Sequence, residues 1–265
     1  LGKIQSNFVN LLLKSNIILL KKKALFNWSS GKDATLALYK ILQDPDFEVC
    51  TLVTSVNQPL QRISMHGVRV ELLHQQAASI GLPLEIMQIP EMPTMEVYEQ
   101  VMTTTLTKLQ QQGINYSIFG DIFLEDLRRY REDKLAILGF KAVFPLWKKP
   151  TLDLLEEFLN LGFKTIVVCV NERYLDKSFV GRIIDSQFIA DLPEGVDVCG
   201  ENGEFHTFSF DGPIFATPIA FTLGETVYRK YEKPKTQQTS TAACTTNTSD
   251  EAWEYGFWYC DLLPA

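Results

Sequence analysis

Two short stretches carry residues whose types and spacing could do chemistry. One is WSSGKDA, residues 28–34, a Ser-Ser-Gly-Lys-Asp turn between an apolar run and a helical start. A loop that leaves a buried strand and enters a helix presents backbone N–H groups and the positive end of the helix dipole, a setting for an anion. Gly31 permits a tight turn close to that anion, Ser29 and Ser30 can donate hydroxyls, Lys32 adds a point charge, and Asp33 can cap the helix. The spacing does not fit G-x-x-x-x-G-K-[ST], which argues against a Walker-type nucleoside triphosphatase. By its residues alone the loop reads equally as a capped turn.

The other stretch is GENGEFHT, residues 200–207, which gathers Glu201, Asn202, Glu204, His206 and Thr207 between two glycines and a strand. Two carboxylates and an imidazole this close can bind a metal, an ammonium group or a substrate cation, or move protons. The same residues also suit a polar turn shaped by Gly200 and Gly203, with Phe205, Phe208 and Phe210 filling the core.

Short β-branched runs alternating with helical stretches must position these residues. Strands are expected at 24–28, 48–56, 84–89, 116–120 and 141–144, with helices at 33–42, 66–81, about 94–112 and about 124–138. Such alternation implies β-α-β units and a mainly parallel sheet, with ligands at the carboxyl ends of the strands. Those ends are Trp28–Ser30, Thr54–Ser55 and Gly120–Asp121. After Pro145 and Pro150 the pattern restarts with a helix at 151–161, a strand at 164–170 and a helix near 180–190. FHTFSF and PIAFTLGETVYRKY then read as antiparallel segments, the latter turning around Gly224–Glu225.

The expected division is an extension over 1–20, an α/β unit over 21–140, a smaller α/β unit over 141–232, and a flexible linker with an aromatic segment over 233–265. That aromatic segment is expected to dock on the body or on a neighbouring subunit, which would make a homo-oligomer. Residues 8–20 are apolar but interrupted by Lys14 and too short to span a bilayer, so the extension is not read as a targeting device or membrane anchor. A net charge of −7 argues against a broad nucleic-acid footprint. The cysteines are five, widely spaced and without a C-x-x-C pair, the pattern of reduced thiols in a cytoplasmic protein.

WSSGKDA resembles the S-G-G-K-D-S pyrophosphatase loop of the PP-loop ATPases, and GENGEFHT resembles the G-E-G-G-E-[FY]-x-T signature of the diphthine–ammonia ligase family within them. RISMHGVRVELLHQQAASIGLPL (62–84), FPLW (144–147) and LDKSFVGRIID (175–185) resemble further segments of that family. The resemblance implies a Rossmann-like parallel sheet of the HUP/PP-loop type with a second, smaller α/β domain. It implies ATP and Mg²⁺ as cofactors, with ammonium and a carboxylate acceptor as partners, diphthine on elongation factor 2 in the archetype. The implied chemistry activates the carboxylate as an acyl-adenylate with release of pyrophosphate, and ammonia then displaces AMP. The anion-binding loop and Mg²⁺ would stabilise the pyrophosphate leaving group. No residue is assigned to a resident metal.

Carried over residue by residue, Ser29, Ser30, Gly31, Lys32 and Asp33 are expected at the ATP phosphates, with Thr54 and Ser55 near the nucleotide. Glu201, Glu204 and Thr207 follow from the signature, and Asn202 stands where it has glycine. His206 is a specificity candidate. His66, read as starting a helix, is either that or a substrate contact. Asp121 and Arg128 are the catalytic candidates after the fourth strand, while Arg129, Arg131 and Glu132 read as a solvated, ion-paired face. Ser30 is expected to hold a negative φ, since its Cβ stands where the loop usually has glycine. Ala34 forfeits a hydroxyl that Thr35 either replaces or does not. Two alternatives remain from the sequence: a PP-loop enzyme modifying tRNA, and a non-catalytic ATP-binding regulator.

Overall fold

The computed structural model describes residues 21–91, 93–230 and 256–265. The N-terminal extension, the linker over 235–250 and Cys244 lie outside the described residues.

β1 (Lys22–Asn27) is apolar on consecutive residues because a parallel strand is buried on both faces. Ala24 and Phe26 enter one hydrophobic cluster and Leu25 the other. α1 (Lys32–Leu42) follows, then β2 (Phe47–Asn57), the short β3 (Arg62–Ile63) and α2 (Val70–Ile80). β4 (Leu84–Ile89), α3 (Met95–Gln110), β5 (Tyr116–Ile118), α4 (Glu125–Ile137) and β6 (Lys141–Val143) complete the first sheet. Its parallel order is β4-β2-β1-β5-β6, with β3 bridging antiparallel to the end of β2. The chain reverses its direction of growth between β1 and β5, so the crevice outside their carboxyl ends is a topological switch point. This is the Rossmann-like α/β architecture expected from the sequence.

α2 begins at Val70, so His66 lies in the preceding loop and does not start the helix. The helix does end at Gly81, whose φ of 78° turns its N–H onto the Ala77 carbonyl.

α5 (Thr151–Asn160) and β7 (Lys164–Asn171) lead to α6 (Ser186–Asp191), β8 (Phe205–Asp211), β9 (Phe221–Lys230) and β10 (Gly256–Pro264). The helix expected over 180–190 is confined to α6, with a 3₁₀ turn at Lys177–Phe179 before it. The second sheet is antiparallel in the order β8-β7-β10-β9. No turn forms at Gly224–Glu225: β9 continues through them with a local irregularity in its register, because β10 pairs with it on both sides, between Phe221 and Lys230. The aromatic C-terminal segment is thus a central strand, inserted between β7 and β9. One hydrophobic cluster joins α1 and α2 to β7 and β8, so the two sheets share a core.

Candidate functional site

The loop after β1 is held from behind. Trp28 is buried, and its indole N–H donates to Gln76 Oε1 at 3.0 Å. The Gln76 amide donates in turn to the Ser209 carbonyl at 2.7 Å and the Ser30 carbonyl at 3.3 Å. The Ser209 N–H also reaches the Ser30 carbonyl, at 2.9 Å. These bonds hold the Ser30 carbonyl towards β8, and Ser30 sits at φ 74°, in the left-handed region. The expectation of a negative φ is therefore overturned: the surrounding bonds impose the conformation that glycine would adopt freely. The Ser30 hydroxyl is fully buried, with no partner among the described residues.

Gly31 is needed for close approach, since a Cβ there would come within 2.9 Å of His66 Cε1. Gly120 is needed for the same reason, its Cβ position lying 2.9 Å from the Ala34 backbone nitrogen. Gly31, not Asp33, occupies the position that caps α1. The Lys32 N–H is taken by Thr207 Oγ1 at 3.0 Å, while Asp33 turns its carboxylate onto the Lys32 ammonium, both oxygens at 2.8 Å. The Lys32 ammonium also donates to the Cys199 carbonyl. Burial alone would lower the Lys32 pKa, but Asp33, with Cys199 and Glu201, holds it above the ordinary lysine range. Thr35 donates its hydroxyl to the Gly31 carbonyl at 2.8 Å, so it does not replace the one missing at Ala34.

A cavity of about 690 Å³ opens at the carboxyl ends of β1, β2 and β5, within the range of small-molecule sites. Ser29, Lys32, Asp33, Thr54, Ser55 and Asp121 line it from the first sheet. Glu201, Asn202, His206 and Thr207 line it from the segment entering β8, and His66 from the loop before α2. Thr54 donates its hydroxyl to the Trp28 carbonyl at 2.7 Å, tying the ends of β1 and β2 together. Four expected residues do not line the cavity: Ser30, Gly31, Glu204 and Arg128.

Glu204 is fully buried and accepts from the Asp197 N–H at 3.0 Å and the Asn202 N–H at 2.8 Å. Asn202 Nδ2 adds a third bond at 2.9 Å, so this carboxylate shapes the 197–204 loop. Arg128 pairs with Glu132 at 2.8 Å, and its guanidinium lies 4.6 Å from the Trp147 ring centroid. Arg131, one turn further along α4, is the arginine that reaches the cavity. It sits 3.3 Å from Asp121 and 4.3 Å from the Phe119 ring centroid. Helical spacing places 128 and 131 on one face, and that spacing was the signal available in the sequence.

Burial pushes the Glu201 carboxyl up to about 8, with Asp33, Asp121 and Asp197 adding to the rise and Lys32 opposing it. Burial likewise raises Asp121 against the pull of Arg131. Asp121 Oδ2 is buried without a partner among the described residues. The His66 and His206 rings lie 4.7 Å apart. Burial lowers His66, and burial with the neighbouring His66 and Lys32 lowers His206 to about 3. Both rings are thus neutral at pH 7. His66 Nδ1 faces the Thr207 carbonyl at 3.1 Å, and a carbonyl only accepts, so Nδ1 carries the proton and Nε2 keeps its lone pair.

Comparison with known proteins finds the diphthamide synthase N-terminal domain over residues 21–142 and its C-terminal domain over residues 150–235. Among curated relatives, the diphthine–ammonia ligase of Bos taurus is 32% identical over 110 residues, 39% of this chain and 41% of that protein. The Homo sapiens diphthine–ammonia ligase is 31% identical over the same shares. The chain thus spans about two fifths of the length of the relatives it matches. A U34-tRNA thiolase of Methanococcus maripaludis is a structural neighbour with TM-score 0.33 and 18% identity, covering 60% of this chain and 63% of its own. With both domain models matched in order along it, the chain belongs to the diphthamide synthase family.

Proposed function

We propose that the 690 Å³ cavity binds ATP and that the protein is an ATP-dependent ligase joining ammonia to a carboxylate. The observation that carries this reading is the convergence of an anion site and a proton-handling site on one cavity. Lys32 and Ser29, at the N-terminus of α1, border the space on one side. Glu201 and the neutral His66 and His206 border it on the other. The family supports ATP and ammonia as substrates, as the name of its curated members implies.

In this reading the acceptor carboxylate attacks the α-phosphate, the α–β phosphoanhydride breaks, and pyrophosphate leaves against Lys32 and Ser29. Ammonium must lose a proton before it can attack the acyl-adenylate, and His66, whose Nε2 keeps its lone pair, borders the cavity as the group to take it. The new C–N bond then forms as the acyl–phosphate bond to AMP breaks. Among the described residues no three His, Cys, Asp or Glu side chains are grouped to hold a metal alone. A Mg²⁺ would therefore use Asp121, whose Oδ2 lacks a partner, together with phosphate oxygens and water. Bound there, it would supply charge neutralisation for the leaving pyrophosphate.

The acceptor proposed is diphthine on elongation factor 2. Incubating the protein with ATP, Mg²⁺, ammonium and elongation factor 2 carrying diphthine should yield AMP, pyrophosphate and the amide. Lys32→Gln should weaken ATP binding at least ~tenfold, about 1.4 kcal/mol. Formation of ADP and phosphate, or AMP release independent of ammonium, would refute the reading. ATP binding without turnover across a panel of carboxylates would favour a regulator, the alternative that Ala34 and the occupied Thr35 hydroxyl support.

A further inference from the structure

His66 sits at the tip of a tight loop whose neck is an antiparallel bridge between Arg62 and Arg69. Inside the neck, Ile63 donates its N–H to the Val68 carbonyl at 2.8 Å, and Gly67 donates back to the Ile63 carbonyl at 3.0 Å. Met65 and Gly67 flank His66 with φ of 66° and 70°. From that tip the His66 ring reaches the Thr207 carbonyl and the His206 ring. The neck carries a difficulty of its own, because it sets two guanidinium side chains opposite each other, and like charges so placed repel.

Asp261 of β10 offsets that repulsion from the second sheet. Arg62 donates to its Oδ1 at 2.8 Å, and Arg69 donates through Nη2 to Oδ2 at 2.7 Å and through Nε to Oδ1 at 3.0 Å. Arg62 Nη1 also donates to the Gly67 carbonyl at 2.7 Å, tying the tip to the neck. Glu91, Glu225 and Arg229 border the same space, and the bonds of Arg62 and Arg69 converge on Asp261. Asp261 stands where the β9–β10 register shifts: Cys260 pairs with Thr226 and Leu262 with Leu223, so one residue faces both Gly224 and Glu225. Such a two-against-one irregularity re-aims a side chain. Gly224 leaves the room for it, since a Cβ there would lie 3.2 Å from Asp261 Cβ. Two residues earlier on β10, the Tyr259 ring packs on Gly67, where an added Cβ would come within 3.0 Å of Tyr259 Cδ1. Burial would raise Asp261, but the bonds from Arg69 and Arg62 prevail and hold it at about 2, so its charge persists throughout the neutral range.

We infer that Asp261 is a positioning residue for the reaction: with Tyr259 it clamps the 62–69 loop onto β10 and so aims His66 into the nucleotide cavity. Asp261 lies outside both matched family segments, 21–142 and 150–235, so the clamp is a feature of this chain's own C-terminal strand. The catalytic value of aiming His66 rests on the ligase reading, whereas the clamp itself rests on the bonds above.

Asp261→Asn keeps the shape of the side chain and removes its charge, leaving the two arginines opposed. Two readouts are taken on the full chain: NMR titration of the isotope-labelled His66 ring, and steady-state kinetics of ammonium-dependent AMP release. In wild type His66 is faced by Lys32 and Asp33 from α1 and by His206 from β8, and burial holds it below the ordinary histidine value. In Asp261→Asn the loosened tip admits water, so the His66 pKa should rise towards that value, about 6.5. kcat should fall at least ~tenfold, because a misplaced base loses rate, while KM for ATP stays within about twofold. Arg69→Gln, partly exposed at the start of α2, should give the same pair of changes and serves if Asp261→Asn does not fold. Tyr228→Phe, which cuts the β9 contact to Glu172 further along the same strands, should leave both readouts at wild-type values. An unchanged His66 titration in both clamp variants overturns the inference, as does an equal change in Tyr228→Phe. A wild type that forms no AMP with ammonium would sink the ligase reading, and a His66 shift confined to the clamp variants would still leave the clamp standing.

Discussion

Replacing Ser30 with glycine removes two unfavourable features at one position. Ser30 holds φ at 74°, and for a residue with a Cβ the left-handed region costs about 1–2 kcal/mol. Its hydroxyl is buried without a partner among the described residues, a state that costs about 1–3 kcal/mol. Against these stand the extra freedom glycine brings to the unfolded chain, about 0.4–1 kcal/mol, and the packing contacts of the lost Cβ and Oγ, roughly 0.5–1 kcal/mol for so small a side chain. The net expectation for Ser30→Gly is a stabilisation of about 2 kcal/mol at the middle of these ranges, or roughly 4–8 °C in Tm for a chain of this size. Ser30→Ala separates the two causes, because it removes the hydroxyl and keeps the Cβ in the left-handed region. The expected order of stability is Gly above Ala above Ser, read as urea midpoints at constant m-value and as Tm in a thermal melt. An alanine variant less stable than wild type would show that the hydroxyl has a partner. A glycine variant less stable than the alanine variant would show that no strain is stored at this φ. Either result refutes the reasoning.

Glu201→Gln probes the same cavity by pH. The folded-state pKa of Glu201 is raised to about 8, so the folded protein holds a proton that the unfolded chain releases near 4.5, and wild-type stability from this group falls as pH rises between those values. Glutamine removes that loss, so the variant should melt above wild type at pH 8.5 by up to roughly 10–20 °C, with the gap closing towards pH 5. A gap that widens on acidification would contradict the burial of this carboxyl. Arg131→Ala should weaken ATP binding at least ~tenfold, whereas Arg128→Ala, which loses only its contacts to Glu132 and the Phe144 and Trp147 rings, should change it by less than about twofold. Equal effects in a titration of both variants would show that the cavity does not distinguish the two arginines.

Much of the first sheet was legible because its signal is local. β4 falls on the residues read as a strand, and β1, β2, β5 and β6 within a residue or two of their expected ends, since continuous apolar runs mark parallel strands buried on both faces. The second sheet was less legible. β10 is separated from β9 by the whole of residues 231–255, so no spacing rule announces that Phe221–Lys230 will pair with Gly256–Pro264. Without that partner, Gly224–Glu225 reads as a turn. The site divided in the same way: the residues at strand ends converged as expected, while Arg131 and Gln76 were missed. Their roles depend on what α4 and α2 face, and helical periodicity gives a face without naming what lies opposite.

The sequence by itself determined that a polar Ser-Ser-Gly-Lys-Asp loop would follow the first buried strand, and that an acidic, glycine-flanked segment would precede a later one. Both follow from chemistry local to a few residues: apolar runs bury, glycines turn, and charged groups stay at the ends. Tertiary structure decided which of those groups face the cavity and which hold it together. Glu204 and Thr207 share one signature, yet the first is consumed by its own loop while the second both lines the cavity and accepts from Lys32. Ser30 shares the anion loop with Lys32, yet its φ is set by Ser209 and Gln76, distant residues brought behind it when the two sheets pack. Burial does the rest, shifting Glu201 and His206 in opposite directions because the charged form of each is the one deprived of water.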